Sequence, residues 1–213
     1  MRLFGTDGVR GKANTELTPE LALNLGRATA AVIAGSGRQL FVLGRDTRIS
    51  GQMLSMALAS GLMSAGVEVW DVGVIPTPAL AYITQSVGAS AGAMISASHN
   101  PAIDNGIKFF SGDGFKLSDE TENAIEAIMA DAARLPRVPG TAVGTFCEKP
   151  ELADQYISHL LGLSVRLDGL SVVVDCANGA ASLIAPQLFA TLGAKVRMLG
   201  CEPDGQNINL GCG

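Results

Sequence analysis

The chain has 213 residues, of which 47% are hydrophobic and 16% charged, enough apolar material for at least one ordinary core. That content excludes a disordered or collagen-like polypeptide in spite of 26 glycines. With Lys+Arg 15 against Asp+Glu 20, the net charge of -5 excludes the broad basic footprint of a non-specific nucleic-acid binder, while leaving room for a local cationic pocket.

Short apolar runs alternate with helical patterns along most of the sequence. Thr18-Pro19 reads as a cap followed by proline at the first helical position, with Leu21, Leu25, Ala28 and Val32 at helical spacing. Leu40 to Leu43 suits a buried strand. Ser50 is expected to cap a second helix carrying Leu54, Leu58 and Leu62, stopped by Gly66. Val67 to Trp70 reads as a strand, Thr77-Pro78 as the start of a short helix, and Ala91 to Ile95 as a third buried strand. This order of strands and helices is the signature of a parallel sheet with helices packed on it.

Beyond that point the pattern changes. Asp104-Asn105-Gly106 reads as a turn, Ile107 to Phe110 as a strand and Gly112-Asp113-Gly114 as a second turn, so an antiparallel hairpin is expected beside the parallel sheet. Ser118 caps a helix with Asp119, Glu120 and Glu122 in its first turn and Ile125, Ile128, Met129 and Ala132 on its core face. Pro136, Pro139 and Gly140 interrupt a stretch without helical period. Leu170 to Val174 then opens a second α/β unit, with a helix near Ala181 to Leu192 and a strand at Lys195 to Leu199. The expected organisation is an α/β domain over residues 1–136 with a mixed, mostly parallel sheet and flanking helices, a linker over 137–150, and a partial second α/β domain over 151–213. The second unit has too few elements to cover both faces of a sheet, so the chain is expected to stop inside that domain.

The two histidines, His99 and His159, and the four cysteines, Cys147, Cys176, Cys201 and Cys212, form no CxxC or HxxxH pair, which argues against a self-contained zinc site. Their wide spacing argues against a disulfide framework and for buried structural thiols. The first residues carry no apolar leader, and no stretch approaches the ~18 apolar residues of a membrane span. A soluble cytoplasmic chain without membrane or nucleic-acid partners is the expectation.

Four stretches have the composition of a site. In Ile95-Ser96-Ala97-Ser98-His99-Asn100-Pro101, small and hydroxyl side chains follow directly on a buried strand, at the end where open α/β sheets hold ligands. A serine there can accept a phosphoryl group when a base or cation activates it. His99 is its sequence neighbour, an awkward geometry for a Ser–His relay, and no G-x-S-x-G elbow surrounds Ser98. A polar turn whose hydroxyls satisfy backbone groups explains the same residues. In Gly5-Thr6-Asp7-Gly8-Val9-Arg10-Gly11, glycines around Arg10 can present a guanidinium and free amides to a phosphate, or form a plain turn. In Gly44-Arg45-Asp46-Thr47-Arg48-Ile49-Ser50-Gly51, two arginines beside a helix start make an anion site or, more simply, an Arg–Asp brace for the loop. Lys108, among apolar residues, works as an acid or base or points out of the sheet. His159 and Met129 read as packing residues.

Taken in order, these four stretches, the last being Asp104-Asn105-Gly106-Ile107-Lys108-Phe109-Phe110, resemble the α-D-phosphohexomutases, collinearly from Arg2 to about Lys116 and more weakly beyond. The Gly-Thr-Asp-Gly start and the Gly-Ile-Lys-Phe-Phe run are most similar to the glucosamine-phosphate branch. The resemblance implies an isomerase interconverting glucosamine 6-phosphate and glucosamine 1-phosphate through a phosphoserine and a bisphosphate, on the amino-sugar route to cell-wall precursors. It puts the phosphoserine at Ser98, charge stabilisation and proton transfer at Arg10 and Lys108, and His99 with them among the catalytic residues, shaping the loop around the phosphate together with Asn100; substrate contacts are expected at Asn100 and Arg45. It also implies Mg2+ bridging Ser98 and three aspartates. The family's Asp-Gly-Asp metal loop does not occur, Asp204-Gly205-Gln206 being a different motif, so the 213-residue chain is expected to be inactive alone. Glucose or mannose phosphates as substrate, a non-catalytic phosphosugar-binding module, and monomer or homodimer all stay open.

Overall fold

The structure, a computed structural model, describes residues 3–33, 39–163 and 165–212. In chain order the elements are β1 (Val9–Lys12), α1 (Pro19–Ile33), β2 (Leu40–Arg45), α2 (Ser50–Ser64), β3 (Glu68–Val74), α3 (Thr77–Ser86), β4 (Ala91–Ile95), β5 (Asp104–Ser111), α4 (Asp119–Met129), β6 (Phe146–Glu148), α5 (Leu152–Leu163), β7 (Ser171–Asp175), α6 (Ala185–Thr191) and β8 (Lys195–Leu199). Six strands form one sheet in the order β1-β5-β4-β2-β3-β6. β4, β2, β3 and β6 run parallel; β5 is antiparallel to β4, and β1 to β5. β7 and β8 pair in parallel as a separate two-stranded sheet.

Why β2 reads as a continuous apolar run is visible in its two faces. Phe41 and Leu43 join the core with α1, α2 and α4, while Leu40 and Val42 join the core with α3 and α5. A strand covered on both sides has no polar face to show. Against the first face, α1 and α2 cross at closest approach: a Cβ added to Gly61 would lie 2.0 Å from the Leu23 carbonyl oxygen. Thr18 Oγ1 accepts from the Leu21 amide at 3.2 Å, and Ser118 Oγ from the Thr121 amide at 3.3 Å, so both expected caps are present.

Several expectations need correction. Ser50 opens α2 without capping it; its Oγ instead accepts from the Asn105 side-chain amide at 2.9 Å. Asp104-Asn105-Gly106 is not a turn but the start of β5, where Asn105 pairs with Gly11 and Gly106 with Arg10. Burial of the Asn105 side chain against Ser50 and the pairing with β1 override the local turn preference. Ala132 is exposed in a 3-10 turn beyond α4. The stretch 137–150 carries β6, which extends the first sheet beside β3, with the Val69 amide bonding Thr145 O at 2.8 Å. α5 also belongs against the first sheet: Leu152 and Ile157 sit in the core with Leu80 and Ile83, and His159 stacks on Tyr82 at 4.3 Å. Of the cysteines, only Cys176 is buried, where desolvation and neighbouring Cys201 push its thiol up to about 12; all four are free. Among the described residues no helix is long and apolar enough to cross a membrane.

Candidate active site

β4 ends at Ile95, and the chain then makes a tight loop before returning as β5. Ser96 takes its amide to the Gly106 carbonyl at 2.9 Å and its hydroxyl to Asp46 Oδ2 at 2.7 Å. The same hydroxyl accepts from the Ser98 amide at 3.0 Å. Ser98 has φ +56, a left-handed conformation that costs a non-glycine residue roughly 1–2 kcal/mol and needs support from its surroundings.

Arg48 supplies much of that support. Its side chain is fully buried, and Nε donates to Asp46 Oδ2 at 2.9 Å. Nη1 donates to Pro101 O and, at 3.0 Å, to Asp104 O; Nη2 donates to Ser98 O at 3.0 Å and Asn100 O at 2.9 Å. Five N–H groups thus meet five acceptors, the full capacity of a guanidinium. The Arg–Asp pair of the 44–51 stretch is a brace, and what it braces is the Ser98 loop.

The N-terminal stretch arrives from the other side. Gly5 and Gly8 exchange backbone hydrogen bonds, and Gly8, at φ +85, passes so close to β5 that a Cβ would lie 2.3 Å from the Ile107 carbonyl oxygen. This turn sets Asp7 between two cations, with Lys108 Nζ 3.3 Å and Arg10 Nη2 3.6 Å from its carboxylate. The hydrogen bond from Lys108, then the charges of Arg10 and Lys108, hold Asp7 below the usual carboxylate range. Asp7, Arg10 and Lys108 line a cavity of ≈ 250 Å³ together with Thr77, Met94, Ser96 and Ser98. An adjoining cavity of ≈ 190 Å³ shares Thr77, Met94, Ser96 and Ser98 and is also lined by Gly179, Ala180 and Asn209 of the second unit. A hydroxyl on a braced left-handed turn, facing a cavity with a guanidinium and an ammonium, suits transfer of an anionic group, where positioning and charge neutralisation matter most.

The fold therefore brings together Ser98, Arg10 and Lys108. It does not bring Arg45 to them. Arg45 Nη1 pairs with Asp71 Oδ2 at 3.1 Å and lines a separate cavity with Gly73, Glu148 and Pro150. Asn100 lies on the loop, but its side-chain amide is committed to Asp104 Oδ2 at 3.0 Å. His99 is exposed, its Nδ1 3.5 Å from Ser98 Oγ, too long for an effective proton relay. Thr77 and Asn209 lie outside the four candidate stretches, whereas Asp7 and Ser96 lie within them and Asp46 is the acid of the Arg–Asp brace read there. For Asp7 the signal was its place between Gly5 and Gly8, and for Asp46 its place between two arginines; Asn209, 111 positions from Ser98, carried none.

A divalent cation does not fit these residues. Among the described residues no three His, Cys, Asp or Glu side chains converge on one point. The carboxylates around the loop are engaged: Asp46 with Arg48 and Ser96, Asp7 with Lys108 and Arg10, Asp104 with Asn100. Ser98 is thus the one expected Mg2+ ligand that the loop presents without carboxylate companions.

Comparison with known proteins agrees with this architecture. The phosphoglucosamine mutase of Moorella thermoacetica is 55% identical over 215 aligned residues, covering 100% of this chain and 48% of that protein. The phosphoglucosamine mutase of Streptococcus pneumoniae is 54% identical over 216, with the same coverage. The chain spans about half the length of the curated relatives it matches. Among solved structures, a phosphoglucomutase/phosphomannomutase family protein from Burkholderia thailandensis superposes with TM-score 0.85 at 30% identity, over 96% of this chain and 45% of that one. The open form of a Paramecium phosphoglucomutase, parafusin, shares the fold with TM-score 0.66 at 18% identity, over 97% of this chain and 44% of that one. The family model described as phosphoglucomutase/phosphomannomutase, alpha/beta/alpha domain I, matches residues 1–135, and the chain belongs to that family.

Proposed function

We propose that this chain is the phosphoserine-bearing part of a phosphoglucosamine mutase, with Ser98 as the residue that carries the phosphoryl group. The observation that carries the reading is the left-handed turn at Ser98, braced by Arg48 and opening on a cavity with Arg10 and Lys108. The identity of 54–55% to relatives named phosphoglucosamine mutase supports the glucosamine phosphates as substrate over glucose or mannose phosphates.

In the first half-reaction a hydroxyl of the sugar phosphate attacks the phosphorus on Ser98. The sugar O–P bond forms, the Oγ–P bond breaks, and the proton lost by the sugar hydroxyl is balanced by the one gained at Oγ. The bisphosphate turns over, and its other phosphoryl group returns to Oγ with the reverse proton movement. Arg10 offsets charge on the transferring group, a task that dominates phosphoryl transfer. Lys108, with Asp7 as its counter-ion, is the group beside Ser98 that exchanges the proton. Mg2+, implied by the family resemblance, has no carboxylate cluster to hold it among the described residues.

Peptide mapping by mass spectrometry tests the reading. The chain as isolated, and after incubation with glucosamine 1,6-bisphosphate, is expected to carry phosphate on the peptide from Ser96 to Lys108, at Ser98 and not in a Ser98→Ala variant. Phosphate on Ser96, or none under either condition, contradicts the assignment. Retained sugar-phosphate binding without any incorporation would favour a non-catalytic binding module.

A further inference from the structure

Two carbonyl groups of the Ser98 loop each accept from two different side chains. Besides Arg48 Nη2, the side-chain amide of Asn209 donates to Ser98 O at 2.9 Å and to Asn100 O at 3.0 Å. Asn209 follows β8 in the second α/β unit and itself adopts φ +60. Its own amide bonds Ala177 O at 2.8 Å, so the side chain is delivered from a fixed backbone. Around it, Thr47 Oγ1 donates to Asn178 O at 2.5 Å and the Ile49 amide to Gly205 O at 2.9 Å, docking the same unit on the loop that carries Arg48.

These bonds act on the part of the loop that needs holding. Ser96 Oγ fixes the Ser98 amide, on the N-terminal side of the left-handed residue. The two doubly bonded carbonyls fix the peptide planes that follow it. Arg48 approaches them from the first sheet and Asn209 from the second unit. With either hand missing, the left-handed φ of Ser98 loses part of its support, and its place on the cavity lined by Arg10 and Lys108 is no longer fixed from both sides.

We propose that Asn209 is a positioning residue for Ser98, completing from the second α/β unit the clamp that Arg48 forms from the first, so that phosphoryl transfer at Oγ requires this unit to be docked. The proposal rests on Ser98 as the phosphoryl acceptor, as proposed above. It makes docking of the segment from Asn178 to Asn209 a condition of reactivity, and not only of stability.

The test compares the unmodified chain with Asn209→Gly, which removes the amide without forcing a Cβ into a left-handed residue, and Asn209→Asp, which keeps the shape and removes the donor. Amide hydrogen exchange across residues 97–104 is expected to quicken at least about tenfold in both variants, with β4, β7 and β8 unchanged. Phosphoryl transfer from glucosamine 1,6-bisphosphate to Ser98 is expected to slow by about tenfold or more at saturation, with the half-saturating concentration unchanged. Unaltered exchange in the loop overturns the proposal, as does a loosened loop with an unaltered transfer rate. If β7 and β8 also open in the glycine variant, the aspartate variant decides. An unmodified chain that takes up no phosphoryl group refutes Ser98 as acceptor, while the exchange comparison still decides whether Asn209 holds the loop.

Discussion

Replacing Arg48 by methionine removes the centre of the loop while keeping most of the side chain's bulk. The arginine side chain is 0% and the Asp46 side chain 5% exposed, so the pair is shielded from water. In the variant, Asp46 keeps Ser96 Oγ and the residue-48 amide but loses its counter-charge. The carbonyl of Asp104 loses its Arg48 donor, that of Pro101 keeps only the Asp104 amide at 3.1 Å, and those of Ser98 and Asn100 retain Asn209. Removing one partner of a buried ion pair costs about 3–5 kcal/mol, and this site belongs in that range because the stranded Asp46 charge is accompanied by the loss of four hydrogen bonds to loop carbonyls. Urea denaturation followed by circular dichroism measures the loss directly. Adding Asp46→Asn should recover part of it by removing the stranded charge, a coupling that a double-mutant cycle reads. A loss below about 1 kcal/mol for Arg48→Met would refute the reasoning, because it would mean that the loop holds itself.

Gly61→Ala is expected to lower stability by about 1–3 kcal/mol, since α1 and α2 must separate to admit a methyl group against Leu23 O, and the gain in helix propensity is smaller; equal denaturation midpoints would sink this account of the crossing. Asp7 should titrate below the ordinary carboxylate range, and Lys108→Met should move its titration upwards, because the lysine's hydrogen bond contributes most to the depression. The interaction is present at neutral pH and is lost as pH falls through the depressed value. Carboxyl chemical shifts followed by NMR check this, and an unchanged titration in the variant counts against the pair.

The location of the candidate site follows from how two cores share one sheet. Helices cover β2 and β4 on both faces, and at their carboxyl ends the polar segments Arg45 to Ser50 and Ser96 to Pro101 emerge side by side. Register does the rest. Arg45 stands opposite Ile95, which sets Asp46 beside Ser96 and lets Arg48 reach across to the loop carbonyls.

Local chemistry determined much of this protein from sequence alone. Thr18-Pro19 and Ser118 mark helix starts because their side chains and ring act within one turn. The apolar runs of β2 and β4 mark buried strands, and four collinear motifs mark the family, with Ser98, Arg10 and Lys108 as the candidates that the fold brings to one cavity. What needed the tertiary structure are the relations that depend on partners distant in the chain. β6 is three residues long with Phe146 and Glu148 exposed, so no periodicity announces it; only the edge of β3 makes it a strand. Asn105-Gly106 carries a turn signature that pairing with β1 overrules. Arg45 and Arg48 look equivalent in the motif, yet strand geometry sends one to Asp71 and buries the other beneath Ser98. Asn209 meets Ser98 across 111 positions, and no local spacing encodes such a bond. Sequence records the preferences of each short segment; which preference prevails is set by packing and hydrogen bonding among segments that only folding brings together.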